Sequence, residues 1–377
     1  MENPARKNSM RPEPFKNCGL RLTSMWRCGP LVAALAVIYG AVVPPRCAAW
    51  DYEGHRLIAR LALHTLPPQF PAFVRSAEAT ERVAFLSGEP DRWRNTTDPT
   101  FAHCNKPDHF FDIDELELYG LSVSTLSVFR YEADAQFAAG RAANPQKFLR
   151  LDLAKDPDLT RGRIGFLPWT ITEHQGRLKS SFSYLRVFEE GGTAEETANA
   201  RQNALYTMGL MAHFVGDAVQ PLHTTRHFNG WVGPNPNGYS TNRTFHSWID
   251  GGFPARLGLE FESLSPRLRP ARRLDFSASG ASSTNLFPAI LRLIQRGHEK
   301  VEPLYQLDRE GKLSSRAPSP EGREFIIRQL IEGAQMLGDL WMTAWQDAPQ
   351  DFYLKAQLAR RRLDQSGRPV GTVKPSE

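Results

Sequence analysis

Apolar residues recur along this chain at intervals of three and four, the spacing that lines one face of a helix. The stretch over 55–66, His-Arg-Leu-Ile-Ala-Arg-Leu-Ala-Leu-His-Thr-Leu, follows Gly54 and stops before Pro67-Pro68, which predicts a helix between two breakers. A second helix is predicted over 195–217, rich in Ala, Met and Leu and ending near Val219-Gln220-Pro221. A third, over 322–346, sets Phe325, Ile326, Leu330, Ile331, Leu337, Leu340, Trp341 and Ala344 on one broad stripe, the mark of a face turned into a core. Strand-like alternation is scarce, so the expected fold class is all-α, a single mainly helical domain. Residues 228–244, rich in Gly, Asn and Pro, and 264–285, with Pro, Arg and Ser, read as long loops. From about residue 350 the chain turns polar and carries Arg360-Arg361-Arg362, which reads as a solvated or frayed tail over 350–377.

One segment breaks the helical pattern. Residues 31–43 form an uncharged apolar run of thirteen residues, too short to span a bilayer comfortably. Arg21 and Arg27 precede it and the small residues Cys47-Ala48-Ala49 follow, which reads as a secretory signal peptide over 1–49, cleaved after Ala49. The expected location is therefore secreted or periplasmic, with Trp50 as the new N-terminus. Initiation at Met25 would shorten an overlong basic region, and a lipid-modified Cys47 is the rival reading, disfavoured by Pro45-Arg46 before it.

The leader changes how composition is read. At 41% hydrophobic and 23% charged residues, the 377-residue chain is neither disordered nor collagen-like. The net charge of +5 is concentrated in residues 1–49, which hold seven Lys/Arg and two acids and leave 39 of each sign over 50–377. The overall basicity is thus no argument for a nucleic-acid partner. Three of four cysteines also lie in the leader, so Cys104 remains alone and no intrachain disulfide is possible after cleavage. The mature chain must be held by its core and by any metals it binds.

Its ten histidines all fall after the leader, several at metal-ligand spacing. His213 and Asp217 are four apart, so on a helix both leave the same face. Pro221 ends that helix, and His223 can turn back towards the same cavity. His246 and Asp250 repeat the four-residue spacing; further clusters are Lys106-Pro107-Asp108-His109-Phe110-Phe111-Asp112 and Trp50-Asp51-Tyr52-Glu53-Gly54-His55. Imidazole and carboxylate are the usual non-thiol zinc ligands. A free α-amino group and the carbonyl of one residue can also chelate a metal as a five-membered ring, and cleavage after Ala49 would leave Trp50 in that position. One His-x-x-x-Asp pair alone reads more readily as a surface helical pair or a capped core histidine than as a metal site; it is the second pair, His223 and the scarcity of thiols that bring the metal reading level.

Taken together these residues resemble the zinc-dependent S-one/P-one nucleases, a family of single-strand nucleases and 3′-nucleotidases that shares a helical fold with the bacterial zinc phospholipases C. The matching pieces are Trp50 with Gly54-His55-Arg56, Asp91-x-x-Arg94, His109-Phe110-x-Asp112, His213 through His223, and His246-x-x-x-Asp250. The resemblance implies a catalytic domain over 50–349 that holds three Zn2+ ions. One would be bound by Asp91, His109, His213 and Asp217. A second would use the Trp50 amino nitrogen and carbonyl oxygen, His55 and the shared Asp217. The third would use His223, His246 and Asp250. Five histidines, three aspartates and two Trp50 atoms supply fewer donors than three closed tetrahedral sites require, which leaves positions for water or substrate.

Two zinc ions sharing a carboxylate can share a hydroxide that attacks phosphorus in line, with the third ion stabilising the leaving oxygen. Asp91 is the candidate to orient the attacking water, and Arg94, one helical turn on, to brace the developing charge. Phe110 and Asp112 are the candidate base pocket; the alternatives are that Phe110 merely packs and that Asp112 buttresses a ligand histidine. The expected substrates are single-stranded DNA or RNA and 3′-nucleotides, with phospholipid as the alternative on the same fold, and no stable protein partner is implied. A non-catalytic zinc-binding protein is the reading from a different class. Two departures from the family pattern bear on substrate preference: Glu89-Pro90 stands where Trp-Ala is usual, and Trp248 is shifted from its place beside Asp250. His64, His103, His174, His227 and His298 have no matched role, and His227 is a candidate neighbour of the ligands.

Overall fold

The computed structural model describes residues 50–148, 152, 154–275 and 285–365. The apolar run at 31–43 and the cleavage point at Ala49 lie outside these residues, as do 276–284 of the second long loop and the end of the tail.

Fourteen helices follow one another, with no named strand among the described residues: α1 Tyr52–Thr65, α2 Ala77–Leu86, α3 Glu89–Arg94, α4 Pro99–Asn105, α5 Arg130–Ala143, α6 Leu167–Gly191, α7 Ala194–Val219, α8 Phe245–Ser247, α9 Phe253–Leu257, α10 Phe261–Leu264, α11 Phe287–His298, α12 Val301–Arg309, α13 Pro320–Gln346 and α14 Phe352–Gln365. The all-α class is thus observed. The three helices expected from periodicity are α1, α7 and α13, each starting a little earlier than its apolar pattern. Polar caps account for the early starts. Asp51 Oδ1 accepts from Gly54 N at 3.1 Å, which begins α1 directly after Trp50 and brings His55 into its first turn. Thr193 and Glu196 form a reciprocal capping box that opens α7. Ser319 Oγ accepts from Gly322 N at 3.0 Å ahead of Pro320, which starts α13.

Helix α7 is the axis on which the others pack, touching α1, α2, α6, α11 and α13. Its second half, from Ala204 on, is buried on almost every face, which is why its sequence reads Ala, Met, Gly and Leu rather than as an amphipathic stripe. The stripe expected on α13 is buried at Ile326, Leu330, Leu337, Leu340, Trp341 and Ala344, while Phe325 and Ile331 flank it. Small residues set the closest crossings. A methyl group added at Gly209 on α7 would lie 2.4 Å from Leu86 Cβ and 3.0 Å from Val83 O on α2. Backbone and Cβ atoms cannot swing away as a long side chain would.

The segment read as a polar tail is in large part helical. Helix α14 buries Leu358 and is tied down by charge: Lys355 to Glu190 at 2.7 Å, and Arg361 to both carboxylate oxygens of Glu196 at 2.6 and 2.9 Å. Its opposite charges sit on the ends of α6 and α7, 165 positions away in sequence, so a local reading of the arginine run had no partner for it.

Gly209→Ala is expected to lower unfolding free energy by about 1–3 kcal/mol, the usual cost of overpacking a filled crossing. Denaturant titration beside the parent chain checks this, and an unchanged midpoint would show that α2 yields freely.

Candidate metal centre

Eight side chains named from sequence, carried on five separate stretches of chain, meet in one buried place. His213 and Asp217 project from the middle of α7, with His213 Nε2 3.3 Å from Asp217 Oδ2. His55 arrives from the first turn of α1, its Nε2 3.6 Å from Asp217 Oδ1 and its ring stacked on His213 at 3.9 Å. His109 Nδ1 lies 3.1 Å from Asp217 Oδ2, 2.9 Å from His213 Nε2 and 3.9 Å from Asp91 Oδ1. His223 Nδ1 comes within 3.7 Å of Asp217 Oδ1 from the other side, and its Nε2 faces His246 Nε2 at 3.1 Å. His246 Nε2 in turn lies 2.6 Å from Asp250 Oδ2. The donors fall into three groups at metal-binding separation: His55, His213 and Asp217; Asp91, His109 and His213; and His223, His246 and Asp250. The third group is the set expected for one ion. The first two contain the side chains of His55, Asp91, His109, His213 and Asp217 expected for the paired ions but divide them differently: His213 falls in both groups, and Asp217, expected to be shared, falls only in the group with His55.

Trp50 is drawn to the same place. It has no exposed surface, its indole N–H donates to Gly216 O at 3.0 Å, and Asp51 N donates to Asp250 O at 3.1 Å. The start of the chain's helical part is therefore moored beside both Asp217 and Asp250. Gly216 is required by this arrangement, because a Cβ there would lie 2.8 Å from His55 Nδ1.

Backbone carbonyls decide which histidine nitrogens face inward. Ser87 O, at the end of α2, lies 2.7 Å from His213 Nδ1. A carbonyl only accepts, so Nδ1 carries the proton and Nε2 presents its lone pair to Asp217, Asp91 and His109. His109 O lies 2.6 Å from His223 Nδ1 and turns the His223 Nε2 lone pair towards His246 in the same way. Two more backbone bonds, Phe111 N to His223 O at 2.9 Å and Ile113 N to Thr224 O at 3.0 Å, lay the 109–113 segment along the turn after α7. Gln220, fully buried, accepts from Leu222 N at 2.7 Å and donates through Nε2 to Asp250 Oδ1, leaving Asp250 Oδ2 for His246.

Burial sets the electrostatics. It holds His109 and His223 well below the usual histidine pKa, in the neutral form a metal requires. Burial raises Asp217 to about 6 against the opposing pull of His213, and raises Asp250 as well. At His213 burial disfavours the charge, but Asp217 and Asp91 outweigh it and raise its pKa. Asp217 Oδ1 and His109 Nε2 are buried with no hydrogen-bond partner. Lone pairs turned on carboxylates, and buried acceptors left unpaired, cost free energy unless a cation sits among them. Imidazole and carboxylate in this number fit zinc.

The remaining expected residues divide. Arg94 Nε is 2.6 Å from Asp91 Oδ1, one turn apart on α3 as expected. Phe111 is fully buried against Trp169, while Phe110 stays half-buried, so the two phenylalanines do different work. Asp112 makes no hydrogen bond to a ligand histidine among the described residues; burial, then Asp114 and Glu115, raise its pKa well above the carboxylate range, and its Oδ1 has no partner. Cys104 is exposed and belongs to none of the donor groups. The other histidines are engaged elsewhere: His64 edge-on to Phe261, His103 on Asp158 O, His174 against Phe214, His227 stacked on Trp231 and His298 on Thr224 O. Sequence reasoning missed Ser87, which acts through its backbone and leaves no residue-type signal, and Phe228, whose ring packs edge-on to His246 at 5.8 Å.

No family model, no curated protein and no solved structure matches this chain.

Elemental analysis should find about three zinc ions per chain in the form that begins at Trp50, and Gly216→Ala should lose at least one by displacing His55. Full zinc content in that variant would remove His55 from the centre. Asp217 in the metal-free chain takes up a proton as pH falls through about 6, and its neutral form no longer attracts a cation. Zinc uptake by metal-free chain should accordingly be strong at pH 7.5 and fall steeply below about 6; calorimetric titration at several pH values would reveal a flat profile if Asp217 is no ligand.

Proposed function

We propose that this chain is a zinc-dependent phosphodiesterase that hydrolyses single-stranded nucleic acid to 5′-nucleotides and releases phosphate from 3′-nucleotides. The observation that carries the reading is the meeting of three donor groups in one buried centre. Among the candidate ligand side chains Asp91, at 8%, and His246, at 9%, keep the most exposure. Arg94 pairs with Asp91.

Asp91, His109, His213, Asp217, His55 and Trp50 would hold two of the ions, and His223, His246 and Asp250 the third. Zinc, when bound, lowers the pKa of water and neutralises charge on a phosphate ester. The chain supplies the rest. Asp91 has one oxygen engaged by Arg94 and the other available to accept a proton from the attacking water. The terminal nitrogens of Arg94 make no hydrogen bond among the described residues and can donate to two non-bridging phosphate oxygens. These donors are worth most where charge builds in the transition state, and the buried setting strengthens them. Phe110 offers a half-exposed ring for a nucleobase, a contact worth about 1–3 kcal/mol. Burial raises the Asp112 pKa, and in its protonated form the carboxyl would offer a base edge both a donor and an acceptor.

A second reading, a phospholipase C, is favoured by one observation. Phe129 and Tyr131, 73% and 89% exposed, flank Arg130, which is anchored on Asp108 beside His109. Two bare aromatic rings so close to the centre also suit a lipid surface.

Arg94→Ala should cut kcat/KM on single-stranded DNA by about 10²–10³-fold, the usual cost of removing a transition-state donor, with zinc content unchanged. Retained activity would remove Arg94 from the reaction. Release of diacylglycerol from phosphatidylcholine vesicles without acid-soluble nucleotides from DNA or RNA would transfer the assignment to the lipase.

A further inference from the structure

Behind the segment that carries Phe110 lies a separate cavity of about 240 Å³ that no part of the proposed chemistry uses. Three arginines line it, Arg141 from α5 and Arg161 and Arg163 from the loop before α6, against one acid, Asp134. Its apolar walls are aromatic: Tyr119, Phe137 and Phe166.

The cavity and the metal centre have a wall in common. Asp112 N donates to Ile164 O at 2.8 Å, and Leu167 N donates to Phe110 O at 3.2 Å. Between these two bonds Gly165 sits at φ +93°, where a Cβ would lie 2.0 Å from Phe110 O. No side chain fits there, so the loop and the Phe110–Asp112 segment lie back to back.

The charge in the cavity is only partly spent. Arg163 Nη1 lies 3.2 Å from Asp134 Oδ1, and that pair is neutral. Arg141 turns Nη2 to Gly162 O, an uncharged acceptor, and packs over Phe148 at 4.7 Å. Arg161 is exposed and has no side-chain partner among the described residues. Arg161 therefore keeps its positive charge on the hollow, and Arg141, which also feels Glu115, keeps part of its own.

The loop that presents them is held in an unfavourable shape. Leu159 adopts φ +56°, the left-handed region that a branched side chain avoids. Two buried carboxylates enforce it. Asp156 accepts from Thr160 N at 3.1 Å and Arg161 N at 3.0 Å, while Asp158 accepts from Thr160 Oγ1 at 2.7 Å and pairs with Lys106. Strain maintained by such over-determined bonding is a mark of a functional loop.

We propose that this cavity is a second nucleotide subsite: Arg161 and Arg141 receive a phosphate of the strand, and the partly exposed ring of Phe166 receives its base, while another phosphodiester of the same strand lies at the metal centre. The inference rests on the nucleic-acid reading for its ligand, because an anion joined to a planar ring is what guanidinium groups and aromatic faces bind together.

The test compares the parent chain, Arg161→Ala and, as a control, Arg292→Ala, an exposed arginine of α11 with no partner among the described residues. Two quantities are read: KM for single-stranded DNA of two to eight nucleotides, and binding of a fluorescent eight-nucleotide strand to chelator-treated protein from 50 to 200 mM salt. In the parent, KM should fall with length. Arg161→Ala should abolish most of that fall, weaken binding of the eight-nucleotide strand about three- to tenfold and reduce the salt slope by about 0.7, the value for one phosphate contact on a single strand. Arg292→Ala should match the parent. Identical length dependence, affinity and salt slope in Arg161→Ala would overturn the subsite, as would loss of binding to phosphatidylglycerol vesicles with the strand bound as before. The two proposals fail separately. A chain that binds the strand through Arg161 but cleaves nothing keeps the subsite and loses the nuclease. A chain that cleaves while Arg161→Ala is neutral keeps the nuclease and loses the subsite.

Discussion

Asp217 is a carboxylate with no exposed surface, ringed by four imidazoles, and the rest of the structure is arranged around that fact. Its Oδ1 faces His55 and His223 at 3.6 and 3.7 Å, and its Oδ2 faces His109 and His213 at 3.1 and 3.3 Å. A buried charge of this kind is stable only when opposite charge is supplied, and burial keeps two of the four rings, His109 and His223, neutral. Asp217 lies on α7, the helix against which α1, α2, α6, α11 and α13 pack, with α2 approaching closely at Gly209 and His55 of α1 at Gly216.

Helix ends do a second job in the centre. The final carbonyls of a helix lack partners within it, and here one of them, Ser87 O of the α2 cap, is used to hold a ligand ring. The carbonyl of His109 does the same for His223. Each such bond fixes the orientation of its ring and places a proton on Nδ1, turning Nε2 inward. Gln220 serves Asp250 through its amide, and the π-helical turn at Trp248–Gly252 carries Asp250. Rings and carboxylates are thus set in advance, and little freedom remains to be lost when an ion binds.

The same backbone connects the centre to its surroundings. The 109–113 segment contributes a ligand at His109, a half-exposed ring at Phe110, a core anchor at Phe111 and a buried acid at Asp112, and it is bonded on one side to the turn after α7 and on the other to the loop before α6. Whatever moves this segment moves a ligand, the candidate base pocket and the wall of the arginine cavity together.

Much of the centre was legible in residue spacing. His213 and Asp217, and His246 and Asp250, stand four apart and meet in one donor group each, and Pro221 follows the end of α7 where His223 turns back. The helical class, the buried stripe of α13 and the separation of Arg94 from Asp91 followed from the same periodicity. The docking of α14 was not legible, because Arg361 finds Glu196 only after the chain has folded back on itself. Nor was the role of Ser87 or of the arginine cavity, since a carbonyl has no residue type and Arg141, Arg161 and Arg163 come together from two elements. Sequence by itself determined which residues could share a helical turn, because a turn is local and its period is set by backbone geometry. Only the tertiary structure decided which turns meet, which nitrogens face inward and which charges stay unpaired, because those depend on burial and on contacts between distant parts of the chain.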